Sequence, residues 1–67
     1  MSIILNNENL VIPGDVITVE DLIKWKNITP GGTAVAIDNK LIPQKAWPIT
    51  TLAENMHITL ITAAFGG

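Results

Sequence analysis

The chain has no cysteine among its 67 residues. A disulfide framework, a thiolate zinc site and a cysteine nucleophile are therefore excluded, and a core without disulfides suits a reducing compartment. Basic residues are also few: four lysines and arginines stand against six acids and give a net charge of −2. Because nucleic-acid binding needs clustered basic side chains, the composition argues against a nucleic-acid partner. It favours a partner with a basic docking face.

Long apolar runs are missing as well. No stretch approaches the ~20 apolar residues of a membrane-spanning helix, and the first three residues lack the basic and apolar regions of a signal peptide. We therefore expect a cytoplasmic protein with no membrane partner. A chain of 67 residues makes one small domain, which buries only about 60% of the surface of its unfolded chain. That size leaves little room for a deep cleft, so a binding or carrier role is favoured over an enzyme.

The apolar residues fall into short runs that predict five strands and one helix in the order β-β-α-β-β-β. Asn6-Asn7-Glu8-Asn9 is expected to be the turn of a first hairpin, because asparagine tolerates left-handed backbone angles. The segment 44–51 is expected to be irregular. The strands are expected at residues 3–5, 10–12, 33–37, 41–42 and 57–62.

The helix is predicted from Val19 to about Lys26 or Asn27. Thr18 is suited to be its N-cap, and Asp21 stands at the capping-box position. The acidic side chains of the first turn are also stabilised by the positive end of the helix dipole.

This pattern predicts an α+β fold in which one helix covers one face of a mixed sheet of four to five strands. The opposite face is expected to keep Ile4, Ala36 and Ile61, and a contiguous apolar patch there would mark a docking site. Trp47 is expected to close the edge of the core. The inward-facing set is expected to be Ile3, Leu5, Val35, Ile37, Ile58 and Leu60, closed by Leu22 and Ile23.

The sequence closes with Gly66-Gly67. At ordinary glycine usage a terminal pair occurs by chance in about one chain in 200. Because glycine has no Cβ, such an end can enter a channel too narrow for other residues. The reactive group of the protein is then the terminal carboxylate of Gly67.

Several segments together resemble the ThiS family, the sulfur carriers of thiamine biosynthesis. The resemblance covers nearly the whole chain and implies one ubiquitin-like β-grasp domain over residues 1–67 with a flexible tail at 63–67. Two positions depart from the family pattern: Gln44 replaces an arginine, and Glu54-Asn55-Met56 replaces an Asp-Gly-Asp turn. The matching segments are Ala34-Val35-Ala36-Ile37-Asp38-Asn39, Leu41-Ile42-Pro43, Trp47 and Gly66-Gly67.

The resemblance also implies a chemistry in which the chain is acted on by partners. An E1-like adenylyltransferase of the ThiF type adenylates the terminal carboxylate with ATP and magnesium. A sulfur donor such as a cysteine desulfurase then converts it to a thiocarboxylate, and a thiazole synthase of the ThiG type receives the sulfur. The carrier itself is expected to hold no cofactor and no metal. The implied roles are Gly67 as the reactive residue, Gly66 as the access residue, and Phe65, Ile61, Ile4 and Ala36 as partner contacts.

Other interpretations stay open at this point. The chain could be the small subunit of a molybdopterin synthase, a ubiquitin-like protein modifier, or an interaction domain without tail chemistry. Phe65 could fold back onto the sheet instead of contacting a partner. His57 is expected to be a strand residue and not a metal ligand or a base, since no cysteine or carboxylate pair accompanies it. Pro30-Gly31-Gly32-Thr33 lacks the spacing and the lysine of a P-loop.

Overall fold

The computed structural model describes residues 1–62. Over that range the chain forms five strands, one α-helix and one 3-10 helix. Their bounds are β1 Ser2–Leu5, β2 Glu8–Val11, α1 Val19–Trp25, β3 Thr33–Ile37, β4 Lys40–Ile42, the 3-10 helix Gln44–Ile49, and β5 His57–Thr62.

The five strands form one sheet in the order β2-β1-β5-β3-β4. The two central strands, β1 and β5, run parallel, whereas every other pair is antiparallel. The predicted mixed sheet with one helix on one face is confirmed. Because β5 lies between β1 and β3, the last described strand is held on both sides by backbone hydrogen bonds.

Two-residue turns close both hairpins of the sheet. Asn6 and Asn7 have φ angles of 50° and 68°, and Asp38 and Asn39 have 50° and 66°. Two successive left-handed residues match the twist of the flanking strands, and Asn and Asp adopt such angles more readily than most residues. The predicted four-residue turn was therefore too long: Glu8 and the residue after it already pair with β1.

The Asn6 side chain also bonds the first turn to strand β5. Its Oδ1 accepts a hydrogen bond of 2.8 Å from the backbone N–H of Leu60. We expect Asn6→Ala to lower the free energy of unfolding by about 2 kcal/mol, because it loses a hydrogen bond worth ~1 kcal/mol and adds left-handed strain. Asn6→Gly is the control, since it loses the bond without that strain. Urea unfolding measures both, and equal losses would show that the strain contributes nothing.

Helix α1 begins and ends at local signals in the sequence. The Thr18 Oγ1 accepts from the N–H of Asp21 at 3.2 Å, and the Asp21 carboxylate accepts in return from the N–H of Thr18 at 3.2 Å. The predicted capping box is thus confirmed. The helix ends at Trp25, slightly earlier than predicted, because Asn27 turns left-handed with φ 57°. The N–H of Ile28 then donates to the carbonyl of Ile23 at 3.0 Å, which is the closing bond of a Schellman motif.

The cap makes stability depend on pH. The backbone N–H of Ile17, then that of Thr18, holds the pKa of Asp21 below its ordinary value of 3.8. A lowered pKa means that folding favours the ionised carboxylate, so this stabilisation is complete above the ordinary pKa. It is lost as the pH falls through the lower folded value. Urea unfolding of wild type and Asp21→Asn between about pH 6 and about pH 2 measures this loss. As the pH falls, the free energy of unfolding should decrease more steeply in the wild type than in Asp21→Asn. The same pH dependence in both chains would contradict the assignment of this stabilisation to the Asp21 carboxylate.

The core lies between α1 and the inner face of the sheet. Of the predicted inward set, Leu5, Ile37 and Leu60 are half-buried and pack against the core, while the other five members are fully buried. Residues of the loops complete it, and sequence periodicity did not indicate them, because they lie outside regular elements. They are Ile12, Val16 and Leu52.

The segment predicted to be irregular contains the 3-10 helix. Pro43 precedes it with extended backbone, and Pro48 lies inside it. Trp47 is 3% exposed, and its Nε1–H donates to the carbonyl of Ile42 at 3.1 Å. The expectation that Trp47 closes the core edge is confirmed, and the irregular assignment of residues 44–49 was wrong.

Candidate docking face and tail attachment

Strand β5 carries the chain to its predicted reactive end. Its last residue, Thr62, pairs with Thr33 at the start of β3. Phe65, Gly66 and Gly67 lie outside the described residues. The structure therefore fixes where the tail is attached, and the roles of these three residues stay predictions.

The outer face of the sheet, opposite α1, carries an apolar patch near this attachment point. Strand pairing places Ile61 opposite Ala34, and Ala36 opposite Leu41 on the next strand. Directly paired residues share a face, and Ile58 on β5 is buried on the inner side. Ala34, Ala36, Leu41 and Ile61 are the apolar patch. Its two large side chains, Leu41 and Ile61, are 68% and 59% exposed.

Ile4 shares the face but lies apart from this patch. It pairs with His57 at the start of β5, four residues before Ile61. At ~3.3 Å per residue the two positions are about 13 Å apart along the strand. The structure therefore brings Ala36 and Ile61 into one patch and leaves Ile4, which is half-buried, on the far side of His57.

Sequence reasoning missed Leu41 as a patch residue. The signal was present in the turn Asp38-Asn39. A two-residue turn makes Ile37 and Lys40 direct partners, so Leu41 must lie opposite Ala36. Assigning the turn type first would have given this register.

A shallow polar depression of about 420 Å³ adjoins the patch on the same face. The backbone N–H of Asp38 donates to the carbonyl of His57 at 3.1 Å, which brings the hairpin turn beside β5. His57 is an exposed strand residue, as its sequence context indicated. The depression offers amide, hydroxyl and imidazole groups for hydrogen bonds. Its lining residues are Asn7, Asp38, Asn39, His57 and Thr59.

Within residues 1–62, no three His, Asp or Glu side chains lie close enough together to hold a metal ion. Over the same residues, no helix is long and apolar enough to cross a bilayer. The described face offers exposed apolar side chains and hydrogen-bonding groups to a partner.

A five-stranded mixed sheet in which β5 lies between two hairpins and runs parallel to β1, with one helix covering one face, defines a ubiquitin-like β-grasp protein. The sequence model of the ThiS family matches residues 3–67. The chain belongs to the ThiS family, the sulfur carriers of thiamine biosynthesis, as its motifs predicted.

Structural comparison supports the fold assignment. The chain resembles the crystal structure of a thiamine biosynthesis protein, ThiS, from Geobacter metallireducens, with a TM-score of 0.82. The match covers 100% of both chains at 16% sequence identity, and at that identity it shows the fold alone. No curated protein matches the chain in sequence.

Proposed function

We propose that this chain carries sulfur as a thiocarboxylate on Gly67 and donates it for thiazole formation. The observation that carries the proposal, beyond family membership, is the position of the apolar patch. Ile61 of the patch stands one residue before the end of β5. A partner that binds the patch therefore has the start of the tail next to its binding surface.

The reach of the tail sets a limit on such a partner. Gly67 is the sixth residue after Ile61, and an extended chain spans at most ~3.6 Å per residue. The reacting centre of the partner must lie within about 20 Å of its patch-binding surface. Because neither Gly66 nor Gly67 has a Cβ, the end of the tail can enter a narrow channel of the partner.

The chemistry follows from the weakness of a carboxylate as an electrophile. A terminal carboxylate is ionised at neutral pH, so one of its oxygens must first become part of a leaving group. An E1-like adenylyltransferase of the ThiF type would join it to the AMP portion of ATP, releasing pyrophosphate. A donor such as a cysteine desulfurase then supplies sulfur as a persulfide, whose terminal sulfur displaces AMP, and two electrons from a thiol reductant cleave the resulting acyl disulfide to the thiocarboxylate. A thiazole synthase of the ThiG type receives the sulfur.

In this proposal the chain is a carrier and not an enzyme. ATP and magnesium are bound by the activating partner, which also supplies the electrostatic stabilisation of the transition state. The β-grasp body supplies the docking face and holds the root of the tail.

Intact-mass measurement tests the proposal. The chain is incubated with a ThiF-type enzyme, magnesium ATP and a sulfur donor, and omission of ATP is the control. We expect the mass gain of one sulfur replacing one oxygen, located at the C-terminus by fragmentation. An unchanged mass with every such enzyme, in the presence of active donor, would reject it. Isopeptide conjugates to lysines would instead indicate a protein modifier. Transfer to a molybdopterin synthase large subunit would indicate the other sulfur carrier class.

A further inference from the structure

The polar depression on the outer face is built from two hairpin turns and from the start of β5. Asn7 belongs to the turn between β1 and β2, and Asp38 and Asn39 form the turn between β3 and β4. All three have left-handed backbones, with φ between 50° and 68°. His57 and Thr59 of β5 complete the lining. Because two-residue turns allow few backbone conformations, the turn side chains project from fixed positions.

The polar side chains of the depression are not used within the fold. Among residues 1–62, none of the five lining side chains donates or accepts a hydrogen bond with another residue. Over the same range the only ion pair joins Glu20 to Lys24. The neighbouring Asn6 side chain, by contrast, accepts from the N–H of Leu60 and belongs to the fold. The polar groups of the depression are therefore available to a partner.

The charge in the depression is negative only. Asp38 is the one lining residue that is charged at neutral pH. Lys40 pairs with Ile37, which packs against the core, so the Lys40 side chain lies on the inner side of the sheet. The other bases belong to α1, to its C-cap and to the 3-10 helix; they are Lys24, Lys26 and Lys45. The Asp38 carboxylate thus shares the outer face with none of the chain's four bases.

The depression and the apolar patch form one continuous surface. Thr59 pairs with Ala36 of the patch. Ile61, also of the patch, is two residues further along β5, a distance of about 7 Å. A partner that binds the patch therefore lies over the depression as well.

We propose that the depression binds an arginine side chain of the partner protein that docks on the apolar patch. A guanidinium can donate two parallel hydrogen bonds to the Asp38 carboxylate. The amide oxygens of Asn7 and Asn39 and the hydroxyl of Thr59 can accept from the rest of its five donors. A lysine ammonium has only three donors and leaves more of these acceptors unused. The inference rests on the proposed function for the identity of the partner, an activating enzyme of the ThiF type.

Asp38→Asn tests the contact with the activating enzyme. Asparagine keeps the size of the side chain and adopts left-handed angles as readily as aspartate, so the variant removes only the charge. We expect titration calorimetry to show an affinity about tenfold lower, the effect of losing a hydrogen bond to a charged group. Higher salt should weaken binding of the wild type more than binding of the variant.

Asp15→Asn is the matched control, because it changes the net charge of the chain by the same amount. Asp15 is exposed and follows β2, at the opposite end of that hairpin from Asn7. Its affinity should stay within about twofold of wild type, as for most positions outside an interface. Equal affinities for Asp38→Asn and Asp15→Asn would overturn the role of the depression in docking.

A second measurement needs no partner protein. The full chain is titrated with N-acetylarginine amide, and its backbone amides are followed by NMR. We expect shifts at Asn7, Asp38, Asn39 and Thr59. N-acetylcitrulline amide has nearly the same shape without the charge and should cause smaller shifts, and in Asp38→Asn the two compounds should act alike.

The outcomes separate this inference from the proposed function. Equal shifts from the two compounds in the wild type, or no shifts at these amides, would overturn the proposal. Failure of every activating enzyme to load sulfur would reject the proposed function instead. The titration would still decide whether the depression binds a guanidinium group.

Discussion

Deletion of Gly66 and Gly67 is expected to lower sulfur loading at least about 100-fold, because a small misplacement of the reacting group alone costs a factor of that size. The shortened chain still ends in a carboxylate, but that carboxylate belongs to Phe65. Its reach from Ile61 falls from six residues to four, and a benzyl side chain now flanks the reacting carbon. The free energy of unfolding should change by less than about 0.5 kcal/mol, since the described core ends before the tail.

Gly67→Ala separates length from side-chain bulk, because it keeps the reach and adds only a Cβ. If the channel of the partner excludes side chains, this variant should also load poorly. Intact mass measures loading, and growth without thiamine measures the biological outcome. Growth of a strain that bears only the shortened chain, with no second carrier, would contradict the assignment of Gly67 as the reactive residue.

The local elements of this fold could be predicted from the sequence because their signals are local. Thr18 and Asp21 satisfy each other's backbone N–H groups within one turn, so a segment of four residues suffices to indicate the start of α1. The alternation of β5 likewise separates buried Ile58 from exposed Ile61 within four residues. Both features were stated correctly from the sequence alone.

Features that depend on distant pairing could not be obtained in this way. Leu52 is held at the core by a distant pairing: its N–H donates to the carbonyl of Ile17 at 2.8 Å, about half of the chain away. The 3-10 helix was missed because its prolines indicate a break in regular structure, and a short 3-10 helix has no period that distinguishes it from a loop.

The candidate site shows the same division. The exposure of Ile61 could be predicted from the sequence, whereas the role of the terminal glycines stays a prediction. The grouping of Ile61 with Leu41, and the separation of Ile4 from both, required the register of three strand pairs.

Ile61→Glu is expected to weaken binding to the activating partner by about 30-fold or more, the effect of removing a central interface residue. The substitution puts a carboxylate into the apolar patch, beside Ala34. Contact with an apolar partner surface would then bury an unpaired charge. Because Ile61 is 59% exposed, the free energy of unfolding should change little. Titration calorimetry with a ThiF-type enzyme measures the loss.

Ile49→Glu is the matched control. It makes the same chemical change at a side chain that is 81% exposed but lies on the 3-10 helix, away from the sheet face. Its affinity should stay within about twofold of wild type, as for most surface positions outside an interface. Leu41→Glu should resemble Ile61→Glu, because the two side chains belong to one patch, whereas Ile4→Glu should lose less. Equal losses for Ile49→Glu and Ile61→Glu would show that charge alone weakens binding, and the apolar patch would then not be the docking site.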